Sequence, residues 1–147
     1  MKSKTALITG VSRPLGLGLA VARQLAKQDY HVILTARNVS QAEPFAAELR
    51  DAGLSASAMR LDLADHSSIE QLANHVAEAT DHLDVLVNNA GAMPDFETPS
   101  AFEVDLGGLE TMFAVSVIGC WGLIQALLPL LRRAPAARIV NVTSAAA

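Results

Sequence analysis

Apolar positions along this chain fall into two alternating rhythms. Short runs at Ala6 to Thr9, Tyr30 to Ala36, Ser55 to Leu61, Leu83 to Val87 and Arg138 to Val142 have the length of strands, and the unbroken apolar continuity of Ala6 to Thr9 marks a strand covered on both faces. Between them the apolar residues recur every three or four positions. Leu15, Leu19, Ala22 and Leu25/Ala26 give one face of a helix from Leu15 to Lys27, with Pro14 suited to a first helical position. Gln41 to Ala52 reads as a second helix, closed by Gly53 and with Pro44 in its first turn. Ser67-Ser68-Ile69-Glu70 has the spacing of a capping box, which starts a third helix running to about Ala79. After a loop from Gly91 to Ser100, carrying Pro94 and Pro99, a long helical stretch extends from about Ala101 to Leu131, with a break expected near Gly107-Gly108 and a bend at Pro129.

Strands alternating with helices of this length make βαβ units, and βαβ units make a parallel sheet with helices on both faces. In such sheets the junction after the first strand is where chemistry is expected. Here it reads Thr9-Gly10-Val11-Ser12-Arg13-Pro14-Leu15-Gly16-Leu17-Gly18. A glycine turn opening a helix presents unpaired amides and the positive end of the helix dipole to an anion. Gly10 permits the sharp turn, and Gly16 leaves room for a pyrophosphate against the backbone.

Composition narrows the function classes. Over 147 residues, 51% are hydrophobic and 18% charged, which is a globular balance. A formal charge of −4, with no basic cluster longer than Arg132-Arg133, argues against nucleic acid as a partner. The one cysteine, Cys120, allows no internal disulfide and suits a cytoplasmic protein. Thr111 to Leu131 carries no charge and is long enough to span a bilayer, but its place in a strand and helix alternation points to a buried helix and no membrane. His31, His66, His75 and His82 fall on different elements without ligand spacing, so no metal site is expected.

Two further blocks follow the glycine turn in order: Asn88-Asn89-Ala90-Gly91 after the fourth strand, and Asn141-Val142-Thr143-Ser144 after the fifth. With all three, the sequence resembles the short-chain dehydrogenase/reductase family over its whole length. The resemblance implies a Rossmann-like, doubly wound α/β sheet of order 3-2-1-4-5, truncated after the fifth strand, and one NADP(H)-binding domain over 1–147 that is incomplete relative to the family. Gly10, Arg37, Asp62, Asn89 and Ser144 then all fall at or just beyond the carboxyl ends of strands, where such sheets bind ligands.

Cofactor preference is read at the end of the second strand, Ala36-Arg37-Asn38, where no acid is available to accept from a ribose hydroxyl. Arg37, with Arg13 at a family position that is often basic, favours NADP(H). By resemblance Gly10, Ser12, Leu15 and Gly16 belong to the turn at the pyrophosphate, Arg13 joins Arg37 at the 2′-phosphate, Asp62 and Leu63 meet the adenine, and Asn89, Ala90 and Gly91 line the ribose. Asp62 also reads as a turn residue. Ser144 matches the catalytic serine, and Ser116 stands where the family has a catalytic asparagine. Pro14, where the family has glycine, removes an amide near the pyrophosphate. The catalytic tyrosine and lysine of the family follow that serine and have no match here. Tyr30, Lys2, Lys4 and Lys27 belong to the amino edge of the sheet.

The resemblance therefore implies an NADP(H)-dependent oxidoreductase acting on a small carbonyl or alcohol, with this chain as its cofactor-binding portion, inactive alone, and a homo-oligomer formed through the long helix Gly108 to Leu131. The alternative is a non-catalytic nucleotide-binding or interaction module complete at 147 residues.

Overall fold

The computed structural model describes residues 4–93 and 100–144. Pro94, Pro99 and Lys2 lie outside the described residues. Five parallel strands form one sheet in the order β3-β2-β1-β4-β5. They are β1 (Lys4–Ile8), β2 (Tyr30–Ala36), β3 (Ala56–Arg60), β4 (Val85–Asn88) and β5 (Arg138–Asn141). The expected order is therefore the observed one. The chain reverses between β1 and β4, whose register pairs Ala6 with Val85 and Ile8 with Val87.

Alternation along each strand divides the core into two layers. Ala6, Ile8, Val32, Leu34 and Val87 face α1 (Leu17–Ala26) and α2 (Val39–Asp51), meeting Leu19, Ala22, Ala46 and Leu49. Leu7, Ile33 and Leu86 face the opposite way, toward Ile69, Leu72 and Val76 of α3 (His66–Ala79) and toward Leu123, Leu127 and Leu130 of the long carboxyl-terminal helix. Each fully buried leucine or isoleucine contributes about 1.5–3 kcal/mol. With both faces covered, the central strands can be apolar at every position, as the continuous runs require.

Helix starts differ from the sequence reading, and side-chain caps are the reason. α2 begins at Val39 because Asn38 Oδ1 accepts the Ser40 amide at 3.1 Å, which leaves Pro44 inside the helix, past its first turn. α3 begins at His66, with Asp65 and not Ser67 as the cap; Asp65 Oδ1 takes the Ser67 amide at 3.0 Å and the Ser67 hydroxyl at 2.9 Å. That hydroxyl is the main reason the Asp65 carboxyl sits below its usual value, with backbone amides adding to the effect. α1 begins at Leu17, two residues later than expected. Pro14 occupies the second position of a turn closed by the Gly16 amide on the Arg13 carbonyl at 3.2 Å, and Leu15 projects into solvent, 99% exposed.

The long helix also starts late. Asp105 accepts the amides of both Gly107 (3.1 Å) and Gly108 (3.0 Å), so the two glycines open the helix where a break was expected. α4 (Leu106–Phe113) runs through a π-helical segment, Ala114–Gly119, into α5 (Cys120–Arg133). The irregularity thus sits at 114–119. Leu106–Arg133 is long and apolar enough to cross a membrane by length and composition, while Leu123, Leu127, Leu130 and Leu131 are buried in the second core layer.

Candidate functional site

Strand ends converge first on Thr9, directly after β1. Its Oγ1 accepts the amides of Asn89 (3.0 Å) and Ala90 (2.9 Å) and donates to the Val87 carbonyl (3.4 Å). In return Asn89 Nδ2 donates to the carbonyls of Thr9 (2.9 Å) and Gly10 (3.3 Å). The glycine turn and the Asn88-Asn89-Ala90-Gly91 block are thereby one unit, joined across the point where the sheet order reverses.

That junction needs two glycines for space. Gly10 has φ of +72°, and a Cβ there would stand 2.6 Å from the Ala90 Cα. A Cβ on Gly18 would stand 2.6 Å from Asn89 Nδ2, the atom that holds the turn. Gly16 caps α1 with extended backbone and no side chain of its own, so the helix opens on bare amides. Ser12, Arg13 and Leu15 of the turn are exposed around that opening.

The outer strands bring the next groups to the same edge. Arg37 follows the last residue of β2 and is exposed. Beyond β3, the Asp62 amide bonds Ser68 Oγ at 2.9 Å, and Asp62 Oδ1 accepts the Ala64 amide at 3.0 Å, so the turn role of Asp62 is real. Leu63 points into the second core layer, leaving its backbone at the edge. Asn141 pairs in register with Asn88, and Ser144 lies three residues further on. Ser116, in the π-helical segment, approaches Gly91 closely enough that its Oγ would lie 3.9 Å from a Cβ there.

The candidate site residues thus fall in the segments that follow the carboxyl ends of the strands, apart from Ser116, which approaches Gly91 from the π-helical segment. Thr9, Gly18 and Ser68 were missed. Thr9 and Gly18 could have been found from their places at the two ends of the glycine turn; Ser68 lies in the capping-box spacing but serves the Asp62 amide six residues before it.

The opposite edge differs in character. Tyr30 opens β2 in register with Lys4, whose Nζ lies 5.4 Å from the tyrosine ring centroid, and Lys27 follows α1. A hollow of about 450 Å³ there is lined by Thr5, His31, Ser55, Glu78, Thr80, Asp81 and His82. Among the described residues no group of three His, Cys, Asp or Glu could hold a metal ion.

The short chain dehydrogenase family model matches residues 4–147. The chain belongs to that family. Among curated members, the chain is 33% identical over 144 residues to a fatty acyl-CoA reductase of Acinetobacter baylyi, covering 98% of this chain and 48% of the relative. It is 34% identical over 143 residues to carbonyl reductase (NADPH) 1 of Sus scrofa, covering 97% and 47%. A metagenomic short-chain oxidoreductase solved in complex with NADP superposes with a TM-score of 0.87 at 33% identity, over 97% of this chain and 63% of that one. A Pseudomonas aeruginosa RhlG/NADP active-site complex superposes at 0.85 with 32% identity, over 96% and 54%. The chain spans about half the length of these curated relatives.

Proposed function

We propose that this chain is the cofactor-binding portion of an NADP(H)-dependent oxidoreductase of the carbonyl reductase or alcohol dehydrogenase kind, acting on a small carbonyl or alcohol. The observation that carries the cofactor choice is Arg37, exposed immediately after β2, with Arg13 exposed in the glycine turn and no carboxylate at that strand end. Two guanidiniums suit a ribose 2′-phosphate through charge-assisted, bidentate bonds. The relatives named for NADPH or solved with NADP support the same choice.

The residues present fit such a group. Gly10 and Gly16 bring no side chain of their own into the turn, and the amides opening α1 would meet the pyrophosphate. Asp62 and Leu63 would contact the adenine, while Asn89, Ala90 and Gly91 would line the ribose. When bound, the nicotinamide supplies hydride chemistry. Ser144 orients the substrate oxygen by a hydrogen bond. Ser116 takes the family's asparagine position with a shorter side chain. Tyr30 is at the other edge, so its phenol is out of reach of a reacting oxygen at the carboxyl edge.

Titrating the 147-residue chain with NADPH and NADH tests this reading. NADPH should bind about tenfold or more tightly than NADH, and the chain alone should not turn over carbonyl substrates. Equal affinities would remove the NADP(H) assignment. The long helix supports a homo-oligomer: Phe113, Val117 and Trp121 are exposed at a four-residue spacing, Trp121 by 67%. Light scattering should give a dimer or larger species for the native chain, and Trp121→Glu should lower its mass.

A further inference from the structure

Gly119 closes the π-helical segment and is buried. A Cβ placed on it would overlap the Leu63 carbonyl oxygen, and would lie 2.8 Å from the Leu63 Cβ and 2.9 Å from the Ala114 carbonyl oxygen. The helix backbone is therefore seated directly on the loop after β3. No comparable constraint acts at Gly53, where a Cβ would meet nothing within 4 Å.

Neither side of the contact can give way easily. The loop is pinned by the Asp62 amide on Ser68 Oγ (2.9 Å), the Ala64 amide on Asp62 Oδ1 (3.0 Å) and the Asp65 amide on the Asp62 carbonyl (3.1 Å). Ser68 is itself held by Arg60 at 3.1 Å, and the Leu63 side chain is buried in the second core layer. On the helix side, Leu123 and Leu127 follow Gly119 into that same layer. Ser116, three residues before Gly119, abuts Gly91. One backbone contact thus sets the spacing between the Asp62-Leu63 loop and the segment that carries Ser116.

We infer that Gly119 is a positioning residue: the bare helix backbone at Gly119, resting on the Leu63 carbonyl, holds the Asp62-Leu63 loop in the place from which it receives the adenine half of the cofactor. This rests on the NADP(H) reading above. Overpacking here shifts backbone, because backbone is what the added methyl meets.

The test compares the native chain with Gly119→Ala and Gly53→Ala, the latter strained at φ of +78° but remote in its contacts. Amide NMR shifts are recorded without ligand and during titration with 2′,5′-ADP, the adenine half with its phosphate. G119A should move the amides of Asp62, Leu63 and Ala64 and weaken 2′,5′-ADP by about tenfold. G53A should lose stability and do neither. Unmoved amides at 62–64 in G119A, or moved amides with unchanged affinity, overturn the inference alone. Failure of the native chain to bind either NADPH or 2′,5′-ADP overturns the cofactor reading and this inference with it. Should G119A not fold, the native chain decides: 2′,5′-ADP should shift the Gly119 amide together with Leu63, and a shift at Leu63 with Gly119 unmoved refutes the contact's role.

Discussion

Thr9 and Asn89 hold each other twice, the Asn89 amide on the Thr9 hydroxyl at 3.0 Å and the Asn89 side-chain nitrogen on the Thr9 carbonyl at 2.9 Å. Replacing Thr9 by valine keeps the shape but removes the hydroxyl that the Ala90 amide bonds at 2.9 Å, while the Asn89 amide keeps the Val87 carbonyl at 3.1 Å. An unsatisfied, partly buried amide costs about 1–3 kcal/mol. Urea denaturation of Thr9→Val should show a loss in that range, with weaker NADPH binding, whereas Thr9→Ser retains both. A T9V chain as stable as the native one would show that the hydroxyl is not the organising acceptor.

Gly10 and Gly53 separate conformational strain from crowding. Both have positive φ, yet only Gly10 faces a neighbour, the Ala90 backbone. Gly53→Ala should cost about 1 kcal/mol from the left-handed backbone alone. Gly10→Ala adds displacement of Ala90 and should cost at least about 2 kcal/mol more. Thermal melts of the pair measure the difference directly.

On the proposed reading, in which the Arg37 guanidinium meets the one phosphate that distinguishes the two cofactors, Arg37→Ala should lower NADPH affinity by about tenfold and leave NADH affinity nearly unchanged. Fluorescence titration gives both constants. Equal losses for the two cofactors would assign Arg37 a general rather than a discriminating role.

His31 sets a pH dependence far from the carboxyl edge. Its Nδ1 meets Ser55 Oγ at 2.7 Å and its Nε2 meets Ser57 Oγ at 3.0 Å, and burial pushes its pKa below the ordinary value. A neutral ring can give one of these bonds and accept the other. The unfolded chain takes up a proton as pH falls through about 6.5, whereas the folded chain does so only lower. Stability from this group is therefore complete above that pH and declines as pH falls from there toward the folded-state value. Denaturation at about pH 7 and about pH 5 should show a smaller fall for His31→Gln than for the native chain.

The inner strands were legible because they are apolar at consecutive positions, β3 and β5 only from their places in the alternation of strands and helices, and the glycine turn because Thr9-Gly10 directly follows β1. Helix starts were harder to read. At Asn38, Asp65 and Asp105 a short polar side chain captures amides ahead of the apolar pattern, and neighbouring Ser67 is an equally plausible cap on paper. The π-helical segment Ala114–Gly119 has no sequence period of its own. Gly18 and Gly119 depend on where a distant loop arrives, which local pattern does not encode. The positions of Arg37, Asp62, Asn89 and Ser144 were legible once the strand order was in hand, since strand ends alone assign them to one edge.

The partners at the Thr9 junction are 80 residues apart in the chain. During synthesis at about 5–20 residues per second, Thr9 and Gly10 leave the ribosome on the order of 4–16 s before Asn89 and Ala90 exist to receive them. β1 can already lie beside β2 in that interval, but its other side and the glycine turn stay open. The glycine turn is therefore a late product of translation, finished by the arrival of β4 and not by the strand and helix that flank it in sequence.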